Sequence, residues 1–73
     1  MIELTYANYK TKQDEVREQL NKFTQKNGIS IYNLARLLNL SYETVKCFMV
    51  DNRIIRYNTM CKIVDLLNQN LEE

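Results

Sequence analysis

Seventy-three residues hold one small domain with a single core and leave little room for a catalytic cleft. Hydrophobic residues make up 45% and charged residues 26%, a globular composition rather than a disordered one, and the lack of Pro with only one Gly favours helices over a turn-rich β fold. A net charge of +1 excludes a bulk polycation, so any contact with an anionic polymer has to come from a local patch.

The parts of several other chemistries are missing. Cys47 and Cys61 are too few and too far apart for a disulfide framework, and without His or a CxxC pair no metal site is expected. Both cysteines read as reduced thiols, which suits the cytoplasm. No apolar run reaches the ~20 residues that span a bilayer, and no basic-then-apolar leader opens the chain, so no membrane contact is expected. There is no glycine-rich phosphate loop and no cysteine–histidine pair. The expectation is a protein that is not an enzyme and needs no cofactor.

In chain order, Ile2, Leu4 and Tyr6 alternate with Glu3 and Thr5, which predicts a short N-terminal strand or arm over 1–10. The main domain follows over 11–69. Its first helix is predicted over 12–27, capped by Thr11, with Val16, Leu20 and Phe23 inward and Glu15, Arg17, Glu18 and Lys22 outward. Gly28 is the natural residue to end that helix in a left-handed conformation. Ser30 caps a second helix over 31–38, with Ile31, Leu34, Ala35 and Leu38 turned in. Asn39 tolerates a left-handed turn, and Leu40 then inserts between the helices.

Ser41 opens a third helix over 42–50, with Val45 and Phe48 or Met49 inward. A loop from Asp51 to Tyr57 carries Arg53 and Arg56. The fourth helix starts at Asn58 or Thr59 and runs to about 68, burying Met60, Ile63, Val64 and Leu67. An acidic, frayed tail over 70–73 closes the chain. The expected fold is therefore all-α, a compact four- to five-helix domain.

Two short helices, each opened by serine and joined by a tight turn, have the sequence form of a helix-turn-helix. Leu34-Ala35, Asn39, Leu40, Ser41, Thr44-Val45, Phe48, Thr59, Ile63 and Leu67 resemble, without gaps, the pattern of the lambdoid phage repressor and Cro (XRE-like) family. Three places depart from it. Asn39 stands for the usual turn glycine, Ile31 for a Gln or Glu at the start of the second helix, and Met49 and Asp51 for the Glu and Gly after the recognition helix. The resemblance implies a DNA-binding regulator, a small repressor of a phage or mobile element.

In such an arrangement the third helix enters the major groove and presents its outer residues to base edges. Those residues are Tyr42, Glu43, Lys46 and Cys47, with Val50 beyond them. Tyr42 can touch a phosphate or a thymine methyl, and Glu43 can accept from a cytosine amino group. Candidate phosphate contacts are Ser30, Asn33, Ser41, Thr44, Arg53, Arg56 and Asn58. From Ser30 to Ile63 there are five basic residues against two acidic, a local +3 that agrees with an anionic partner. One short helix reads too few bases for specificity, so the expected partners are double-stranded operator DNA, palindromic in sequence, and a second copy of the chain. The tentative homodimer contact is Ile54, Ile55 and Tyr57, with the N-terminal arm as the other candidate. A second reading keeps the fold and gives it a protein partner, as an anti-repressor or an inhibitor of a host factor. Low net charge, Glu43 on the outer face and the apolar Ile54-Ile55 pair favour that reading.

Overall fold

Two serines set the centre of the molecule. In the computed structural model, which describes residues 2–70, Ser30 and Ser41 each adopt an extended backbone. Each accepts, on its Oγ, the backbone N–H three residues on: Asn33 at 3.2 Å and Thr44 at 3.2 Å. Every helix start leaves backbone donors without partners, and each serine satisfies one of them. The helices so opened are α2, Ile31–Leu38, and α3, Tyr42–Met49.

Between them Asn39 is left-handed, at φ 57 and ψ 43. Its N–H reaches Arg36 O, and the N–H of Leu40 reaches Ala35 O at 2.9 Å. This paired closure ends α2 and sends Leu40 back against the core. α1, Gln13–Asn27, ends in a related way, with Gly28 at φ 63 and the Ile29 N–H on Thr24 O at 2.9 Å.

Nothing lies within 4 Å of a Cβ added at Gly28, so alanine there costs backbone strain alone. Gly28→Ala is expected to lose about 1 kcal/mol, a fall of about 4–8 °C in Tm. Asn39→Gly relieves the same strain but loosens the unfolded chain, and its Tm is expected to stay within about 3 °C of the parent. Thermal melts of the two variants check both numbers.

The fourth helix, α4, spans Tyr57–Gln69. No strand occurs among the described residues, and the architecture is an all-α four-helix domain. Val16 and Leu20 of α1, Leu34, Ala35 and Leu38 of α2, Val45 and Phe48 of α3, and Met60, Ile63, Val64 and Leu67 of α4 form one buried core. Ala35 lets α3 pack closely on α2, the most extensive helix pairing in the fold. No helix among the described residues is long and apolar enough to cross a membrane.

Several local expectations are corrected. Of the two forms expected at the N-terminus, residues 2–5 take the arm and not the strand: Ile2 donates its N–H to Asn68 Oδ1 at 2.9 Å and accepts from Asn68 Nδ2 at 3.1 Å. A single amide side chain on α4 thus takes the place of a strand partner. Ile2 and Leu4 pack on the core, while Tyr6 is exposed and lies against Tyr9 and Tyr57.

Thr11 does not cap α1. Residues 6–12 are turns, and the Thr11 hydroxyl is engaged by Asn8 O, so Lys12 occupies the cap position without a side-chain bond. α3 ends one residue early, at Met49, with Val50 as its C-cap. α4 begins at Tyr57, before Asn58, with Arg56 as its N-cap, because Met60 already returns a helical bond to Arg56 O at 2.9 Å. It runs to Gln69, one residue past the expected end. Asn70 is a turn residue, and the rest of the expected tail lies outside the described residues. The largest correction is Arg17, expected outward and found 7% exposed.

Candidate functional site

α3 turns Val45 and Phe48 into the core, so at 3.6 residues per turn its outer face is centred on Glu43 and Val50. Lys46 and Cys47 flank that line and are half-buried, whereas Glu43 and Val50 are exposed. Tyr42 is 46% exposed at the edge of the face nearer Met49. Thr44, at the opposite edge, shares a 2.8 Å hydrogen bond with the Ser41 hydroxyl as well as giving its N–H to it. The start of α3 is thus closed by its own side chains.

Beside this face runs an open groove of about 430 Å³ lined by Glu43, Thr44 and Cys47 of α3 and by Arg53, Ile54, Ile55, Arg56 and Thr59. Five of the residues singled out from the sequence as DNA contacts, Glu43, Thr44, Cys47, Arg53 and Arg56, therefore line one groove with two of the three tentative dimer residues. Ser30, Asn33, Ser41, Tyr42, Lys46 and Asn58 lie outside the groove lining. Of these, Ser30 and Ser41 have their side chains committed to caps, and Asn33 and Asn58 are exposed.

The loop after α3 is held by a side chain that the helical stripe of α1 placed in solvent. Arg17, on α1, donates from Nε to Phe48 O at 2.6 Å, from one terminal nitrogen to Arg53 O at 3.3 Å, and from the other to the Asp14 carboxylate. Its guanidinium carbon stands 4.6 Å from the centre of the Phe48 ring. Phe48 O belongs to the last turn of α3, where carbonyls lack helical partners, so the guanidinium caps α3 from outside.

Gln13, also buried, clamps the loop further along. It accepts the Ile55 N–H on Oε1 at 3.2 Å and donates from Nε2 to Ile55 O at 3.2 Å. Between the two carbonyls that Arg17 holds, Asn52 adopts φ 57, and Arg53 N–H bonds Cys47 O at 3.0 Å. The signal in the sequence is the spacing Gln13, Val16, Arg17, Leu20, an inward line in which two members are polar.

The charges divide by location. The ion pairs among the described residues all fall at or within α1: Lys12–Glu15, Asp14–Arg17 and Glu18–Lys22. Lys46, Arg53, Arg56 and Glu43 take part in none of them. Of the tentative dimer residues, Ile54 is 66% exposed, but Ile55 is half-buried under the Gln13 clamp. Tyr57 is half-buried too, with its ring 5.3 Å from Tyr6 and 5.7 Å from Tyr9. The neighbouring Cys61, first through hydrogen bonding and then through charge repulsion between the two ionised groups, and lastly burial hold the Tyr57 phenol above its usual pKa.

No protein-family model, no curated protein and no solved structure matches this chain. What the site can do rests on its own residues.

Proposed function

We propose that this protein is a sequence-specific DNA-binding transcriptional regulator of the repressor and Cro type. In this reading it acts in the cytoplasm of a bacterial or phage-infected cell and binds a palindromic operator as a homodimer. One observation carries the reading. The exposed face of a short, serine-capped helix shares a groove with Arg53 and Arg56, and neither arginine is drawn into an ion pair among the described residues. A helix so placed fits the major groove with its first residues toward base edges, while flanking cations meet phosphates. Ile54 supports the second copy, being the one residue of the tentative interface whose side chain is mostly exposed.

Selection from a random duplex library at two salt concentrations tests this reading. A palindromic motif bound less tightly as salt rises is the expected result, because each neutralised phosphate releases a counterion. Lys46→Glu and Arg53→Glu, made together, are expected to remove detectable specific binding, and Arg53→Ala alone to lower the salt slope by about 1. Both side chains lie outside the core, so the melting curve is expected to change little. No enriched motif at either salt would turn attention to the second reading, a protein-binding module, which the exposed Ile54 beside Arg53 and Arg56 also favours.

A further inference from the structure

We infer that Glu43 selects a cytosine at one position of each half-site, an inference that rests on the DNA-reading function just proposed. Glu43 is the second residue of α3, is exposed near the middle of its outer face, and is the only carboxylate on that helix. It lines the same groove as Arg53 and Arg56, yet it forms no ion pair with either among the described residues. Its charge is therefore unspent in the free protein.

On a surface that approaches phosphates, an unspent negative charge is repelled unless it meets a hydrogen-bond donor. The major-groove edges differ in what they offer. Guanine shows two acceptors, thymine shows an acceptor and a methyl, and adenine sets an acceptor beside its amino group. Cytosine alone presents an amino donor with no competing lone pair. An ionised carboxylate only accepts, so three of the four bases place a lone pair against it and one does not.

No neighbour on the face supplies a charged acceptor, and the neutral Tyr42 hydroxyl, at the edge of the face, donates as well as accepts. Cys47 and Val50 are apolar or weakly polar, Lys46 only donates, and the Thr44 hydroxyl is engaged by Ser41. Discrimination at this position accordingly falls to Glu43. The amide of Glu43→Gln, which both donates and accepts, matches adenine instead.

The test runs the random-duplex selection in parallel on the wild type, Glu43→Gln and Glu43→Ala. Circular dichroism confirms that each variant keeps its helices, as expected for an exposed side chain. In the wild-type motif one column per half-site is expected to favour cytosine by about tenfold, the scale of one good base contact. Glu43→Gln is expected to move that column to adenine, and Glu43→Ala to flatten it, with the other columns unchanged. A motif identical in all three proteins overturns the assignment of Glu43 while leaving the DNA-reading function standing. A wild type that enriches no motif overturns both.

Discussion

Replacing Arg17 by alanine is expected to destabilise the protein by about 3 kcal/mol and to lower Tm by roughly 12–24 °C. The side chain is almost wholly buried and serves two backbone carbonyls, Phe48 O and Arg53 O, that lie on separate elements. Removing it leaves both acceptors without their charged donor, and a buried group that loses its partner bears its full desolvation cost. Lysine is not expected to rescue, since a single ammonium cannot reproduce the planar fork that spans α3 and the loop.

The ion pair with Asp14 is the lesser part. Its carboxylate side chain is 97% exposed, so solvent screens the attraction, and Asp14→Asn is expected to cost under about 1 kcal/mol. Thermal melts of R17A, R17K and D14N separate the two contributions. Equal losses in R17A and D14N would show that the ion pair, not the carbonyl contacts, dominates. Hydrogen exchange adds a local readout: the Arg53 amide, bonded to Cys47 O, should lose protection in R17A before the α4 core does.

Phe48→Ala is expected to cost about 3–5 kcal/mol. Phe48 is 0% exposed and is the largest of the fully buried side chains. A domain of this length has a total stability of about 4–11 kcal/mol, so the loss takes a large share of it. Urea unfolding is expected to show a much lower midpoint, with a substantial unfolded fraction at 37 °C if the parent stability lies at the low end. Part of the loss comes from the Arg17 guanidinium, which the ring faces at 4.6 Å. A double-mutant cycle of Phe48→Leu with Arg17→Met is expected to return a coupling of about 0.5–2 kcal/mol. Additive losses would mean that the stacking contributes nothing beyond the separate contacts.

Much of the scaffold was legible in the chain itself. Ser30 and Ser41 announced two helix starts because a hydroxyl at that position satisfies an otherwise unpartnered N–H, a requirement local to four residues. Gly28 and Asn39 marked the helix ends for an equally local reason, the steric cost of a left-handed backbone for most side chains. The apolar stripes of α2 and α4 named their buried residues, with Ile31 alone left half-buried at the start of α2, since burial follows the helical period. Where a polar residue sat on the stripe, the same rule misled, and Arg17 was placed in solvent.

Tertiary structure alone decided the rest. Arg17 can be buried only because the open carbonyls of α3 and the loop come to meet it, from residues more than thirty positions away. Asn68 could be known as the partner of Ile2 only once α4 was laid beside the arm, a separation of 66 residues. The groove that joins Glu43 to Arg53 and Arg56 has the same origin: the helix sets the direction of each side chain, and the anchored loop sets which of them share a surface. The sequence by itself determined the helices, the serine caps of α2 and α3, the left-handed ends at Gly28 and Asn39 and most of the core, because those depend on neighbours along the chain. Which polar groups are buried, where the arm lies and which charges face one groove depend on neighbours across space.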